Sequence, residues 1–223
     1  MKQTLAQLIQ RFRKEACDNV EAYLFDDEFI KDALNEAVHE AAIRARLLFE
    51  CENSAICEIA LVQGRSEYPL HESLFEITHL VRSEVGQPDT TLELKSQEWL
   101  DRNWPDWRTD DKSVLPYAIK YDTRLRLATP AKAPGILRLE GYRLPLTTME
   151  ADSDTPEIHS AHHEKLVYWA LHRGFSQPDA DRFDSGRAAT ALDVFNDYFG
   201  LRPDADLRRT SREDLHHANV SYF

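Results

Sequence analysis

Apolar residues recur at helical spacing towards both ends of the chain and at strand spacing between them. Leu5, Leu8, Ile9, Phe12 and Ala16 fall three and four apart, which places them on one face of a helix. Lys2, Arg11, Arg13 and Lys14 lie mostly off that face. A second helix is signalled by Asp26 as cap, with Asp27 and Glu28 where the helix dipole favours carboxylates and Phe25 placed to staple onto Ile30. Its stripe runs Ile30, Ala33, Leu34, Ala37, Ala41, Ala45, Leu48, and the small alanines predict close packing against another helix.

The period changes after Cys51. Ile56, Ile59, Leu61 and Val62 read as a short strand ended near Gly64, and Phe75 to Val81 as another, with Tyr68-Pro69-Leu70 a turn or edge element. Leu92-Glu93-Leu94 precedes Trp99, Trp104 and Trp107, a cluster read as an irregular loop fastened to the sheet beneath it. Tyr117 to Tyr121, Arg124 to Leu127 and Ile136 to Tyr142 alternate as half-buried antiparallel strands do. Helical spacing returns after Thr155, read as an N-cap with Pro156 at the first helical position, and Leu166, Val167, Ala170, Leu171 and Gly174 form an inward face. A last helix is predicted from about Pro178, with Asp179 and Asp181 in its first turn and Ala188, Leu192, Phe195 and Phe199 buried. Gly200 stands just past its end.

Two amphipathic helices before the strands and two after them can bury their stripes only against one another. The expected fold is therefore α+β: an antiparallel helical bundle from residues 1–52 and 156–200, an inserted antiparallel β-subdomain over 53–150, and an extended C-terminal tail over 201–223. With 223 residues and 42% apolar content, the chain can bury a sizeable core.

Charge narrows the function. A formal net charge of -12 argues against gripping a phosphate backbone, which needs a basic footprint, but an acidic wall would let a duplex slide past without sticking. Cys17, Cys51 and Cys57 form no CxxC pattern, so reduced thiols in a cytosolic setting are expected, and no cofactor is implied. The opening residues predict an amphipathic helix and not an apolar leader. No run approaches the roughly 20 apolar residues of a membrane span.

Candidate chemistry is sparse. His159 and His163 are four apart and would share a face of a helix beside Glu164, as zinc ligands can, although no further ligand follows at a familiar spacing. Ser66, His71, Ser73 and His79 are neighbours in sequence without a nucleophile motif around them. The last residues, Val220 and Tyr222 alternating with Ser221 and Phe223, could add a strand or an aromatic anchor to a neighbour.

Several ordered segments carry a resemblance. They are Asp27-Glu28-Phe29 with Leu34-Asn35-Glu36-Ala37, Tyr68-Pro69-Leu70, Leu100-Asp101 with Trp104-Pro105-Asp106-Trp107-Arg108, Pro116-Tyr117, Leu125-Arg126-Leu127 leading to Pro130 and Pro134, and Leu166 to Leu171. In order and spacing, the chain from Leu5 to Gly200 resembles the bacteriophage head–tail adaptors that join portal to tail, particularly the tail tubular protein A-like adaptors of short-tailed phages. The resemblance implies a non-enzymatic virion protein at the neck, assembled in the host cytoplasm. It implies a ring, commonly of twelve copies, under the portal protein and above tail or nozzle proteins, with genomic DNA passing the lumen unbound. It also implies portal contacts from the C-terminal segment, for which Leu201, Leu207, Arg208, Arg209, Leu215, Val220, Tyr222 and Phe223 are the candidates. A small metal-dependent enzyme using the histidines, or a nucleic-acid-binding regulator, are the alternatives.

Overall fold

Thr4 starts the first helix by a reciprocal cap: its hydroxyl accepts from the Gln7 backbone N–H, and the Gln7 side chain accepts from the Thr4 backbone N–H. Helix α1 runs Leu5–Ala16 and ends at Cys17 in a left-handed conformation, φ 59°. Asp26 caps α2 (Asp27–Ala45) by accepting from the Phe29 backbone N–H at 2.7 Å. The computed structural model describes residues 2–110, 114–179 and 181–203. Two compact units emerge by contact, one formed by Met1–Phe49 with Arg143–Arg202, the other containing Glu50–Tyr142.

The second unit is built of short strands. After β1 (Phe49–Glu50), the Glu50 carboxylate accepts from the backbone N–H groups of Cys51, Glu52 and Asn53 and turns the chain. Asn53 then caps a single helical turn, α3 (Ser54–Cys57), ahead of β2 (Glu58–Leu61). Ile56 therefore sits on a helical turn and not in the strand expected for it, because the Asn53 side chain satisfies Ala55 N–H before pairing begins. Next come β3 (Glu67–Pro69), β4 (Leu74–Glu84), β5 (Thr90–Thr91) and β6 (Glu93–Leu94). Helix α4 (Gln97–Asn103) is capped by Ser96, which puts Trp99 on a helix where an irregular loop was expected. Strands β7 (Tyr117–Lys120), β8 (Arg124–Leu127) and β9 (Gly135–Arg143) complete the unit.

One sheet has the order β1-β9-β4-β5, with β2 also pairing β9; the other has the order β3-β8-β7-β6. The pairs β2–β9, β3–β8, β4–β5 and β7–β8 are antiparallel as expected, whereas β6 and β7 pair parallel, Glu93 opposite Tyr117 and Leu94 opposite Ala118. Helix α4 lies between these two strands in sequence and makes the crossover that a parallel pair requires. Gly141 is needed where β9 meets β4: a Cβ there would collide with the Glu76 carbonyl oxygen. The unit has one core over both sheets, including Tyr68, Leu80, Leu125, Leu127, Leu137 and Leu139. A smaller cluster of Leu100, Trp107, Leu115, Ile119 and Ala128 adjoins α4.

Returning to the first unit, the chain does not enter a helix at Thr155-Pro156. Glu157 is committed to closing a loop, pairing with Arg143 at 2.6 Å and accepting from Leu146 N–H at 2.7 Å, and Ile158 is buried beside it. Helix α5 runs His163–Phe175, and α6 runs Ser185–Phe199. The predicted start near Pro178 is also too early. Asp179 accepts backbone bonds from Arg182 and Phe183 in a preceding turn, and Asp184 is the residue whose side chain caps the helix at Arg187. The α+β class stands. A single buried cluster takes Leu5, Leu8 and Phe12 from α1, Ile30, Leu34 and Ala37 from α2, Leu166 and Val167 from α5, and Phe195 and Phe199 from α6. Each of the larger side chains contributes about 1.5–3 kcal/mol by leaving water. Ala45, expected on the α2 stripe, is exposed because the helix ends there.

Candidate assembly surfaces

Helix α6 delivers the chain to its C-terminal segment through a charged hub. Gly200 takes a positive φ of 85°, which a glycine adopts at no steric cost, and its N–H donates to Asn196 O. Arg44 of α2 donates to the Glu40 carboxylate at 3.0 Å, to the Asn196 side-chain oxygen at 2.6 Å and to Gly200 O at 3.4 Å. Its guanidinium also lies 4.9 Å from the Trp169 ring centre. Arg202 reaches the same Glu40 at 3.3 Å. One carboxylate thus holds two cations at the point from which the C-terminal segment departs. Beside the hub Leu201 is 76% exposed, the only one of the eight portal-contact candidates among the described residues. Leu207, Arg208, Arg209, Leu215, Val220, Tyr222 and Phe223 lie outside them.

The histidine group is arranged differently from the expectation. Because α5 begins at His163, His159 lies outside the helix and the four-residue spacing does not put the pair on one helical face. His163 is fully buried, and both ring nitrogens face backbone. Nδ1 is 3.2 Å from both the N and the O of Gln3, and Nε2 is 3.0 Å from Ile158 O. That ring ties the start of α1 to the start of α5. His162 caps α5 through backbone alone and lies 3.2 Å from the Tyr198 hydroxyl; burial, then the neighbouring His159 and His163, hold its pKa below the ordinary histidine value. Glu164 pairs with Arg11 at 3.1 Å. Among the described residues no group of three His, Cys, Asp or Glu side chains is placed to hold a metal.

In the second unit, Ser73 and His71 meet at 2.8 Å, but the same imidazole nitrogen also accepts from Ser73 N–H, so the pair closes a turn. Trp107 is buried, its indole N–H donating to Asp101, with the guanidinium groups of Arg108 and Arg126 at 4.3 and 4.8 Å from its ring. Arg108 holds Asp101 through paired hydrogen bonds, and this contact, followed by the indole, keeps the Asp101 carboxyl below its ordinary pKa. A cavity of about 410 Å³ is lined by Arg82, Glu84, Pro88, Thr90, Val114 and Lys132 among others. Its charged floor is self-satisfied: Arg82 donates to Glu84 and to the carbonyls of Thr129 and Pro130.

Sequence reasoning missed the Glu40–Arg44–Arg202 hub, and only the i,i+4 spacing of Glu40 and Arg44 hinted at it. It also grouped Arg13 with cations lying mostly off the apolar face of α1 and gave it no partner, whereas Arg13 is buried and pairs with Asp18 at 3.0 Å and with Asp27. No helix among the described residues is long and apolar enough to cross a membrane. No curated protein matches the chain. The family model described as SU10 adaptor protein matches residues 3–217.

Proposed function

The chain belongs to the SU10 adaptor protein family, and from that membership we propose that it is a bacteriophage head–tail adaptor, assembling as a ring between the portal and the tail. The family is one of structural phage adaptors and not an enzyme family. The observation that carries the proposal is the extent of the match, residues 3–217, which takes in both compact units. The ring, commonly of twelve copies, would use one heterologous surface repeatedly, as closed cyclic assemblies do. Its helical part, a bundle of α1, α2, α5 and α6, would form the wall, and the β-subdomain would reach the tail or nozzle proteins. A lumen in a protein of net charge -12 would let genomic DNA pass without adhering.

The segment from Leu201 onward would dock on the portal, with Leu207, Arg208, Arg209, Leu215, Val220, Tyr222 and Phe223 as its contacts. The Glu40–Arg44–Arg202 hub supports this by anchoring Arg202, at the start of that segment, to α2. Mixing the purified protein with its portal and imaging the product by electron microscopy tests the proposal. A ring stacked on the portal ring is expected, and persistent failure to associate would refute it. Deleting residues 201–223 should leave a folded protein that no longer docks; unchanged docking would remove the segment from the interface.

A further inference from the structure

At the end of the helical unit away from the hub, two connections meet. They are the α1–α2 connection, residues 17–26, and the α5–α6 connection, residues 176–184. The Phe25 ring packs edge-on against Phe175 at 5.6 Å, the Arg182 guanidinium lies 5.8 Å from the Phe25 ring centre, and Arg187 donates to Glu15 O at 3.0 Å. Both connections are tied down. Asp18, buried, accepts from the backbone N–H groups of Leu24 and Phe25 and from Arg13; Phe183 N–H donates to Asp179 O and Asp184 N–H to Phe175 O.

These fastened loops nevertheless turn apolar side chains to solvent. Val20 is 78% exposed, Phe183 58% and Tyr23 43%, the last with the Arg13 guanidinium 3.7 Å from its ring centre. A surface already held in one conformation loses little entropy when a partner covers it. The surroundings specify the partner's charge. Residues 13–28 and 176–187 carry nine carboxylates against four cations. Of those cations Arg13, Arg182 and Arg187 are engaged with Asp18, Asp179 and Glu15 O respectively.

We propose that this end of the helical unit is a docking surface for a cationic amphipathic peptide segment of another protein. Its apolar side chains seat on Val20, Tyr23 and Phe183, and its Lys or Arg groups face Glu21, Glu28 and Asp181. Electrostatic complementarity of this kind sets specificity and association rate, while the apolar centre supplies most of the affinity. The inference needs neither a ring nor a portal, so it stands or falls apart from the adaptor function.

The test uses the full chain and a fluorescent amphipathic Lys/Leu helical peptide carrying a photoreactive group, with a Glu/Leu peptide of the same pattern as comparison. The Lys/Leu peptide is expected to bind, the Glu/Leu peptide not, and cross-links should map to residues 17–26 and 176–187. The V20S/F183S variant should weaken binding about tenfold, as truncating side chains at the centre of an interface does. Neutralising Asp193 and Asp197 on α6, both exposed, should leave binding unchanged. No binding, equal binding of the acidic peptide, equal loss on neutralising Asp193 and Asp197, or cross-links elsewhere would each overturn the proposal. Self-association that V20S/F183S abolishes would assign the surface to a second copy and overturn it too. Cross-link position remains decisive if the variant folds poorly.

Discussion

Asp18 does more for the helical unit than its place in a polar loop suggests. Its carboxylate satisfies two backbone N–H groups and the buried Arg13 guanidinium at once. Replacing it with alanine leaves a buried cation short of a partner, so Asp18→Ala should lower unfolding free energy by about 3 kcal/mol in urea titrations. Cys57 carries the opposite message. Burial, reinforced by Glu50, pushes its thiol up to about 11, while Cys17 and Cys51 are exposed. Near pH 8 a thiol reagent should therefore modify two cysteines rapidly and the third only after denaturation, which a colorimetric titration reads directly. His162 gives a pH dependence of fixed sign. Its folded pKa lies below the ordinary 6.5, so the folded state prefers the neutral ring. That contribution is complete above 6.5 and is lost as pH falls through the lower folded value. Melting temperatures should drop more steeply on acidification for the native chain than for His162→Gln.

At the scale of elements, backbone contact is as decisive as side-chain packing. In β9, Gly141 lies so close to Glu76 and Ile77 of β4 that Gly141→Ala must part the strands, at a cost of about 2–3 kcal/mol visible as a shifted denaturation midpoint. Periodicity made α1 and α2 legible, because their stripes are long and Asp26 marks the second start unambiguously. It also picked out Leu166, Val167, Ala170, Leu171 and Gly174 as the buried face of α5. Helix starts failed where a cap-like residue had other work. Glu157 is held by Arg143 and Leu146, so Thr155-Pro156 opens a loop, and Asp179 closes a turn ahead of the true cap, Asp184. Parallel pairing of β6 with β7 could not be read from alternation, which is the same for either direction. The surface sites were least legible of all. Leu201 is exposed, and the hub beside it depends on α2 meeting α6, which no local pattern encodes.

For the whole molecule, the β unit behaves as an insertion whose two ends adjoin. Arg143 N–H donates to Leu48 O at 2.9 Å, so the chain returns to the helical unit one hydrogen bond from where it left. Since residues 50–142 carry their own core, that fragment should fold alone and melt cooperatively by circular dichroism. A featureless spectrum would show that it needs its host. The helical unit imposes a different demand, because its core joins segments from opposite sides of the insertion. On the ribosome, α1 and α2 emerge long before α5 and α6 exist to cover them. At about 5–20 residues per second, their greasy faces wait roughly 8–31 seconds, from the end of α2 at Ala45 to the end of α6 at Phe199, for completion. Newly made chains should therefore lean on a holding chaperone during exactly that interval of synthesis, and high-level production should aggregate through the first two helices unless translation of the middle is quick.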